Sequence, residues 1–217
     1  MTERQFFDFL LDKMKQVFET SPIKDYQDKH NKNWNYSICE TPIQKGKGLI
    51  FGLNWGGDNI NTQSQYPVAD KERNWNFMNN SIPYFEKYLT VKSIGEINYS
   101  NLCFFRSPNI KYLTWKDWEL SVPLFKTYVD YIAPPCTVLL GKTGVRILNE
   151  LGHLKDLSRI EVKGKRKRTF GYTGILFDKY KFYCVPHPQT KIATEVRDKI
   201  WHLLFTQEKP FTIITNQ

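Results

Sequence analysis

Four short apolar segments of strand length punctuate this chain. They lie near 48–53, 96–103, 137–140 and 182–185. Continuous apolar runs of this kind predict strands that are buried on both faces, as in a parallel sheet covered by helices. Three of the segments pass directly into a polar cluster, and the segment at 96–103 carries an amide, Asn101. Ligands bind outside the carboxyl ends of strands in open α/β sheets, so these clusters mark the candidate site.

Helical periodicity fills much of the chain between these strands. Apolar residues spaced by three and four predict amphipathic helices. The predicted helices cover residues 6–18, 82–89, 114–131, 143–151 and 190–205. Asp117 follows Thr114 at the spacing of a capping box, and Thr190 is the predicted cap of the last helix.

The alternation of strands and helices, with a hairpin predicted over 159–185, indicates an α/β fold. We expect a three-layer αβα architecture around a central, mainly parallel four-stranded sheet, in a single domain spanning 1–217. The stretch 54–81 is rich in Asn, Gly and Gln and has few apolar residues. Because loops this long in compact domains are usually functional or disordered, this stretch is predicted to form part of the site.

The chain carries an excess of positive charge. Its 217 residues include 31 Lys and Arg against 22 Asp and Glu, which gives a net charge of +9. A field of this sign attracts phosphate backbones, so the charge favours a nucleic-acid partner over a surface that serves solubility alone. Aromatic residues make up 15% of the chain. Flat side chains stack on bases, although most of them are expected in the core.

The four cysteines are scattered and form no C-x-x-C pair. They are Cys39, Cys103, Cys136 and Cys184. This spacing argues against a zinc or cluster site, and the last three lie in or beside apolar strands, which predicts buried thiols. The N-terminus lacks the basic start and apolar run of a signal peptide, and no stretch has the roughly 20 apolar residues that span a bilayer. We expect a soluble protein of the reducing cytoplasm, without a membrane partner.

Three polar residues at strand ends are candidates for ligand chemistry. Asn54 lies in the turn 52–56, where glycines let backbone N–H groups approach a ligand. Asn101 can hydrogen-bond an amide-like ligand edge, and His187 between two prolines is a rigidly mounted imidazole. Taken singly, each also fits a structural role: a generic glycine turn, a side chain that pins a loop, or a structural histidine.

A phosphate-loop interpretation of Gly141-Lys142-Thr143 fails. That signature requires a glycine five positions before Gly141, where Cys136 stands. A tight turn between a strand and a helix is the better interpretation, with amides that can still face an anion.

Taken together, these segments resemble the uracil-DNA glycosylase superfamily. In that family a glycine-flanked Asn or Asp turn follows the first core strand and a Ser/Thr-Asn pair ends the second. An apolar strand with Leu-Gly then opens a helix, and a His-Pro turn closes the last strand. The corresponding stretches here occur in the same order, at 52–56, 100–108, 138–143 and 185–190. Each stretch is weak alone, and the ordered set is more specific.

The resemblance implies hydrolysis of the N-glycosidic bond of uracil or a related deaminated base that is flipped out of DNA, as in base excision repair. Asn54 would position the attacking water, and His187 would stabilise negative charge on the departing base. Asn101 would hydrogen-bond the pyrimidine edge. The implied pocket-lining residues are Gly52, Leu53, Trp55 and Gly56.

The resemblance also implies an aromatic side chain that stacks on the base and a basic surface that contacts DNA. Tyr66 occupies about the right position for stacking, and Trp55 is its competitor. The implied DNA-binding residues are Lys142, Lys163, Lys165, Arg166, Lys167, Arg168, Gln189, Thr190 and Ile192. The alternatives are a solvated hairpin tip for the basic run 163–168 and a helix-core position for Ile192.

The chain departs from the family pattern at several positions. Asn54 is not an acid, so it can orient water but cannot take its proton. Trp55 stands where a proline is usual, and Gln189-Thr190 replaces the serine expected after His-Pro. Asp58 is close enough to act as a substitute carboxylate, though an Asp here more often caps a loop. The cluster-binding cysteines of the iron–sulfur branch are absent, so we expect no metal and no cofactor.

The leading hypothesis is therefore a monomeric DNA glycosylase without a metal. The alternative is a nucleic-acid-binding or base-sensing module of the same fold that kept the pocket and lost the chemistry. A third hypothesis is an unrelated α/β enzyme acting on a nucleotide or another small anion.

Overall fold

The computed structural model describes residues 1–56, 66–67, 78, 81–164 and 168–206. These residues form six α-helices and six β-strands. In chain order they are α1 (Glu3–Glu19), α2 (Pro22–Lys29), β1 (Leu49–Trp55), α3 (Ile82–Leu89), β2 (Asn98–Arg106), α4 (Trp115–Ile132), β3 (Thr137–Leu140), α5 (Thr143–Glu150), β4 (Leu154–Lys163), β5 (Arg168–Leu176), β6 (Tyr180–Val185) and α6 (Thr194–Thr206).

All six strands belong to one mixed sheet, in the order β2-β1-β3-β6-β5-β4. The first four in this order pair in parallel, and they are the four apolar segments of the sequence. β5 and β4 extend the sheet with antiparallel pairing. The carboxyl ends of the four parallel strands therefore share one edge, and β5 begins at that edge because it runs antiparallel to β6.

The predicted α/β fold is confirmed, but the predicted four-stranded sheet is wrong because the sheet has six strands. The region 159–185, predicted as one hairpin, belongs to three strands. β4, which begins at Leu154, was covered only in part by the predicted hairpin, because it does not read as a continuous apolar run. Its buried residues, among them Ile160 and Val162, alternate with exposed ones, as is usual in antiparallel strands with one covered face.

The last helix begins later than predicted. α6 starts at Thr194, and Thr190 does not cap it. The Thr190 amide instead donates to the His187 carbonyl at 2.9 Å and closes a turn. Ile192 consequently precedes the helix rather than packing along its buried face.

Apolar side chains form two clusters, one on each face of the sheet. Neighbouring residues of β1 show the division. Phe51 packs in one cluster together with side chains of α1, α2, α4 and α5. Ile50 packs in the other, with side chains of α3 and α6. Helices thus cover both faces of the parallel strands, as their continuous apolar runs predict.

The two edges of the sheet are built differently. Residues 35–41 run antiparallel along β2, where the Ser37 amide donates to the Phe104 carbonyl at 2.9 Å and the Glu40 amide to the Tyr99 carbonyl at 3.0 Å. At the opposite edge, β4 presents exposed side chains at every second position over most of its length.

The four cysteines form no disulfide. Cys103 and Cys184 are buried, as predicted, and Cys136 is partly exposed. Among the described residues, no group of three or more His, Cys, Asp or Glu side chains has the arrangement of metal ligands. No described helix is both long enough and apolar enough to cross a bilayer.

A buried carboxylate fixes the start of α4 and confirms the predicted capping box. Oδ2 of Asp117 accepts from the amide and the hydroxyl of Thr114, both at 2.7 Å. Oδ1 of Asp117 accepts from the Ile23 amide at 3.0 Å, which joins the first turns of α2 and α4. α2 itself was not predicted, although Ser21 caps it and Pro22 opens it.

We expect Asp117→Ala to lower the free energy of unfolding by about 2–4 kcal/mol, because it leaves the Ile23 and Thr114 amides without an acceptor. Urea denaturation followed by circular dichroism measures the change. Glu119→Ala is the matched control on the same helix. It removes an exposed pair with Lys116 at 3.2 Å and should cost less than about 0.5 kcal/mol. Equal costs for the two variants would contradict the assignment.

Candidate active site

A cavity of about 780 Å³ lies at the carboxyl ends of β1, β2 and β3 and beside the turn that follows β6. Its volume falls in the range typical of small-molecule sites. Asn54, Asn101 and His187, the three polar residues singled out in the sequence, all line it. Of the other predicted site residues, five contribute to its wall. They are Gly52, Leu53, Trp55, Gly56 and Gln189.

Asn54 lies where the pairing of β1 with β2 slips. It is opposite Cys103, whereas the next residue, Trp55, is opposite Arg106. Bulges of this kind re-aim side chains. Nδ2 of Asn54 donates to the carbonyl and hydroxyl oxygens of Ser107, each at 3.1 Å. Because the nitrogen is engaged there, Oδ1 is the atom left to accept a hydrogen bond from a ligand or a water.

Asn101 and Gly52 are opposite each other in the parallel pair β1–β2. The carboxamide of Asn101 lies directly over Gly52, so close that a Cβ on Gly52 would be 2.3 Å from Oδ1 of Asn101. Glycine is therefore required here for close approach, not for backbone conformation. Asn101 is only 3% exposed, and its carboxamide has no hydrogen-bond partner among the described residues. Its polar atoms are available to a ligand in the cavity.

The imidazole of His187 is held as a neutral donor. The Gln189 amide donates to Nδ1 of His187 at 3.3 Å, so the neutral ring carries its proton on Nε2. Burial of the ring, together with the positive charge of Arg197, lowers the pKa of His187 below its ordinary value. At neutral pH the ring therefore offers Nε2–H to a ligand.

A buried guanidinium holds the turn that carries His187. Arg197 of α6 is 5% exposed. One terminal nitrogen lies 3.5 Å from the carbonyl oxygens of Pro186 and His187. The other donates to the carbonyls of Pro188 at 3.3 Å and Thr190 at 2.9 Å. Four carbonyls of one turn thus converge on a single cation, which fixes the position of the imidazole.

A second guanidinium and two aromatic rings also line the cavity, as does the acidic residue Glu40. Nη1 of Arg106 donates to the Gly56 carbonyl at 2.8 Å, and Nη2 donates to the Ser37 hydroxyl at 3.3 Å. The indole of Trp55 donates to the Ser37 carbonyl and meets the ring of Tyr99 edge-on, with centroids 6.2 Å apart. Arg106 places a positive charge at the cavity, and Trp55 and Tyr99 supply flat apolar surface.

Tyr66 is not among the residues that line the cavity. Its ring packs edge-on against Phe7 of α1, with centroids 5.4 Å apart, and its hydroxyl accepts from the Ile43 amide at 2.8 Å. The structure thus places the predicted stacking residue against the helical layer. Trp55, the competitor for that role, does line the cavity.

The predicted DNA-binding residues other than Gln189 fall into three groups. Lys142, Arg168, Thr190 and Ile192 line a smaller cavity of about 250 Å³ next to the first. Lys163 lies at the end of β4 and contributes to neither cavity. Lys165, Arg166 and Lys167 lie outside the described residues. So does most of the stretch 54–81, including Gly57 and Asp58.

Two supporting residues were missed in the sequence. Ser107 belongs to the stretch 100–108, but nothing in a serine before a proline identifies it as the partner of Asn54. Arg197 left a clearer signal. It shares the spacing of the apolar residues Ile200 and Trp201 on the buried face of α6, and a charged residue at such a position requires buried partners.

No protein-family model matches this chain, and no curated protein sequence matches it significantly.

We expect Arg197→Met to raise the pKa of His187, because it removes the nearby positive charge and loosens the turn that buries the ring. Titration of the imidazole signals by NMR measures this pKa directly. Arg197→Lys keeps the charge and is the control, so it should leave the pKa of His187 closer to that of the parent. An unchanged or lower pKa in Arg197→Met would show that the guanidinium has no electrostatic effect on the ring.

Proposed function

We propose that this protein is a DNA glycosylase of the uracil-DNA glycosylase type, with the three-layer αβα arrangement of that family. Its substrate is uracil or a related deaminated base that is flipped out of DNA, and the reaction is hydrolysis of the N-glycosidic bond. The observation that carries the proposal is the convergence of Asn54, Asn101 and His187 on one cavity of about 780 Å³. Each of the three has the chemical state that its role requires.

Asn54 serves the attacking water. Its Nδ2 is held by Ser107, so Oδ1 accepts a hydrogen bond from the water and aims the water oxygen at the anomeric carbon. A carboxamide does not take a proton at neutral pH, so Asn54 orients the water without deprotonating it. The bond to the base therefore breaks well ahead of the attack, and the sugar develops oxocarbenium character.

His187 serves the leaving base. As the C1′–N1 bond breaks, its electron pair moves to the base and negative charge grows on the exocyclic oxygen. A neutral imidazole that donates from Nε2 stabilises this charge without first being protonated. In other enzymes, removing one hydrogen-bond donor to a developing oxyanion lowers the rate by about 10²–10³-fold. The water oxygen then bonds to C1′, and its proton passes to solvent while the base anion takes up a proton.

Asn101 serves recognition of the base. Its carboxamide offers one acceptor and one donor group side by side, the complement of the O4 and N3–H edge of uracil. Its position over Gly52 fixes the plane in which these groups lie. Trp55 and Tyr99 provide the apolar surface against which a planar base can rest.

Release of free uracil from a uracil-containing oligonucleotide tests the proposal. We expect the protein to liberate uracil, detected by mass spectrometry, and to leave an abasic site that alkali cleaves. Asn54→Ala and His187→Ala should each lower the rate by about 10²-fold or more, with DNA affinity preserved. His202→Ala, which replaces an exposed histidine of α6, should keep the parental rate.

The opposite outcome is equally clear. If the protein releases neither uracil nor hypoxanthine nor xanthine, the glycosylase assignment is wrong. Intact DNA binding in that case would support the base-sensing module, in which Asn54 only holds a water and performs no chemistry.

A pair of glycine variants tests the recognition role of Asn101. Gly52→Ala should abolish most of the activity, because the new methyl group displaces the Asn101 carboxamide from its place in the cavity. Gly95→Ala is the matched control, since Gly95 lines neither cavity and a Cβ there meets only Oγ of Ser93, at 3.8 Å, and it should retain activity. Thermal denaturation of both variants establishes that they fold. Equal activity of the two variants would remove Asn101 from base recognition.

A further inference from the structure

The smaller cavity adjoins the candidate active site and shares Gly141 and His187 with it. The antiparallel pairing of β5 with β6 explains its position, because the first residues of β5 lie at the sheet edge where β6 ends. Arg168 and Phe170 of β5 enter its wall there, opposite the turn that carries His187. The two cavities therefore meet at His187, the proposed contact of the departing base.

Phe170 is an aromatic residue that lies outside the hydrophobic core. It is partly exposed and belongs to neither hydrophobic cluster. The guanidinium of Arg159 lies 5.1 Å from the centroid of its ring, and Arg159 is not part of the cavity wall. Arg159 thus supports the ring from outside the cavity, and Phe170 offers an apolar aromatic surface inside it.

Two cationic side chains accompany this ring on the cavity wall. Nζ of Lys142 lies 5.7 Å from the centroid of the Phe170 ring and forms no ion pair with a described residue. Its flexible stem lets the ammonium move to a nearby anion. Arg168 pairs with Glu161 at 3.1 Å; its own side chain is 66% exposed and that of Glu161 is 32% exposed. An exposed pair of this kind is weak enough for a phosphate to replace.

We propose that the smaller cavity is a subsite for the nucleotide next to the flipped one on the same strand. The base of that nucleotide stacks on Phe170, and its phosphate contacts Lys142 and Arg168. This inference rests on the proposed function, because the larger cavity has to hold a base for a neighbour to be defined.

Occupation of both cavities makes the protein favour single-stranded DNA. In a duplex the neighbouring base is paired and stacked, so placing it on Phe170 requires a second base to leave the helix. In a single strand that cost largely disappears, and each stacked base strengthens binding. The subsite is also tolerant of base identity, because every base has a flat face.

Binding of short oligonucleotides tests the subsite. Each carries a central 2′-fluoro-2′-deoxyuridine, in which the fluorine makes the N-glycosidic bond resistant to hydrolysis. One has all its bases, and two have a tetrahydrofuran spacer in place of the base on the 5′ or the 3′ side. We expect fluorescence anisotropy to show that one of the two spacers weakens binding to the parent protein on the order of tenfold. Phe170→Leu should bind the complete strand about as weakly as the parent binds the strand with that spacer. The same spacer should then cause no further loss of affinity in the variant.

Two controls accompany this experiment. Phe9→Leu replaces an exposed phenylalanine of α1 that lines neither cavity and should bind like the parent. A duplex of the same sequence should bind the parent more weakly than the single strand, and Phe170→Leu should narrow that difference. The subsite proposal is wrong if Phe170→Leu binds all three single strands with the affinity of the parent. It is also wrong if the spacer lowers the affinity of the variant and of the parent by the same factor.

The subsite proposal and the glycosylase proposal can be disproved independently. Suppose that the protein releases no base and still binds more weakly when one neighbouring base is removed, in a way that depends on Phe170. In that case the subsite is a nucleic-acid site and the enzymatic assignment is wrong. A protein that releases uracil at a rate and with an affinity insensitive to Phe170→Leu keeps the activity and loses the subsite.

Discussion

Parallel pairing within the sheet is the constraint on which the candidate site depends. β1 pairs in parallel with β2 and with β3, and β3 pairs with β6, so chain segments remote in sequence end at one edge. Register then decides which side chains meet there, and it sets Gly52 opposite Asn101. A slip of one residue would turn Asn101 to the other face of the sheet and put Ser100 or Leu102 in its place.

The polar groups of the site are held by partners that lie behind them. Ser107 fixes the carboxamide of Asn54, and Arg197 fixes the turn under His187. Such support reduces the entropy lost when a ligand binds and keeps the dipoles aligned before charge develops. Burying the charged guanidinium of Arg197 is unfavourable, and its contacts with four carbonyl oxygens offset this cost.

The sequence predicted the parallel strands, the convergence of Asn54, Asn101 and His187, and the box at Thr114 and Asp117, because each depends on local patterns or on strand order. It could not predict what long-range packing decides. The antiparallel strands lack a continuous apolar run, and the side chain of Ser107 acquires its role only from a register slip. Tyr66 followed the order of the family motifs, whereas its ring is placed by contacts with α1.

The construction of the sheet edges bears on how the protein behaves at high concentration. An exposed strand offers unpaired N–H and C=O groups to a second chain, and this is how sheets grow into aggregates. Residues 35–41 occupy those groups along β2. β4, at the opposite edge, combines a register irregularity between Lys155 and Ser158 with outward charges such as Arg159 and Glu161. Both margins thus oppose the addition of another strand, so an α/β sheet this broad can remain dispersed in a crowded solution.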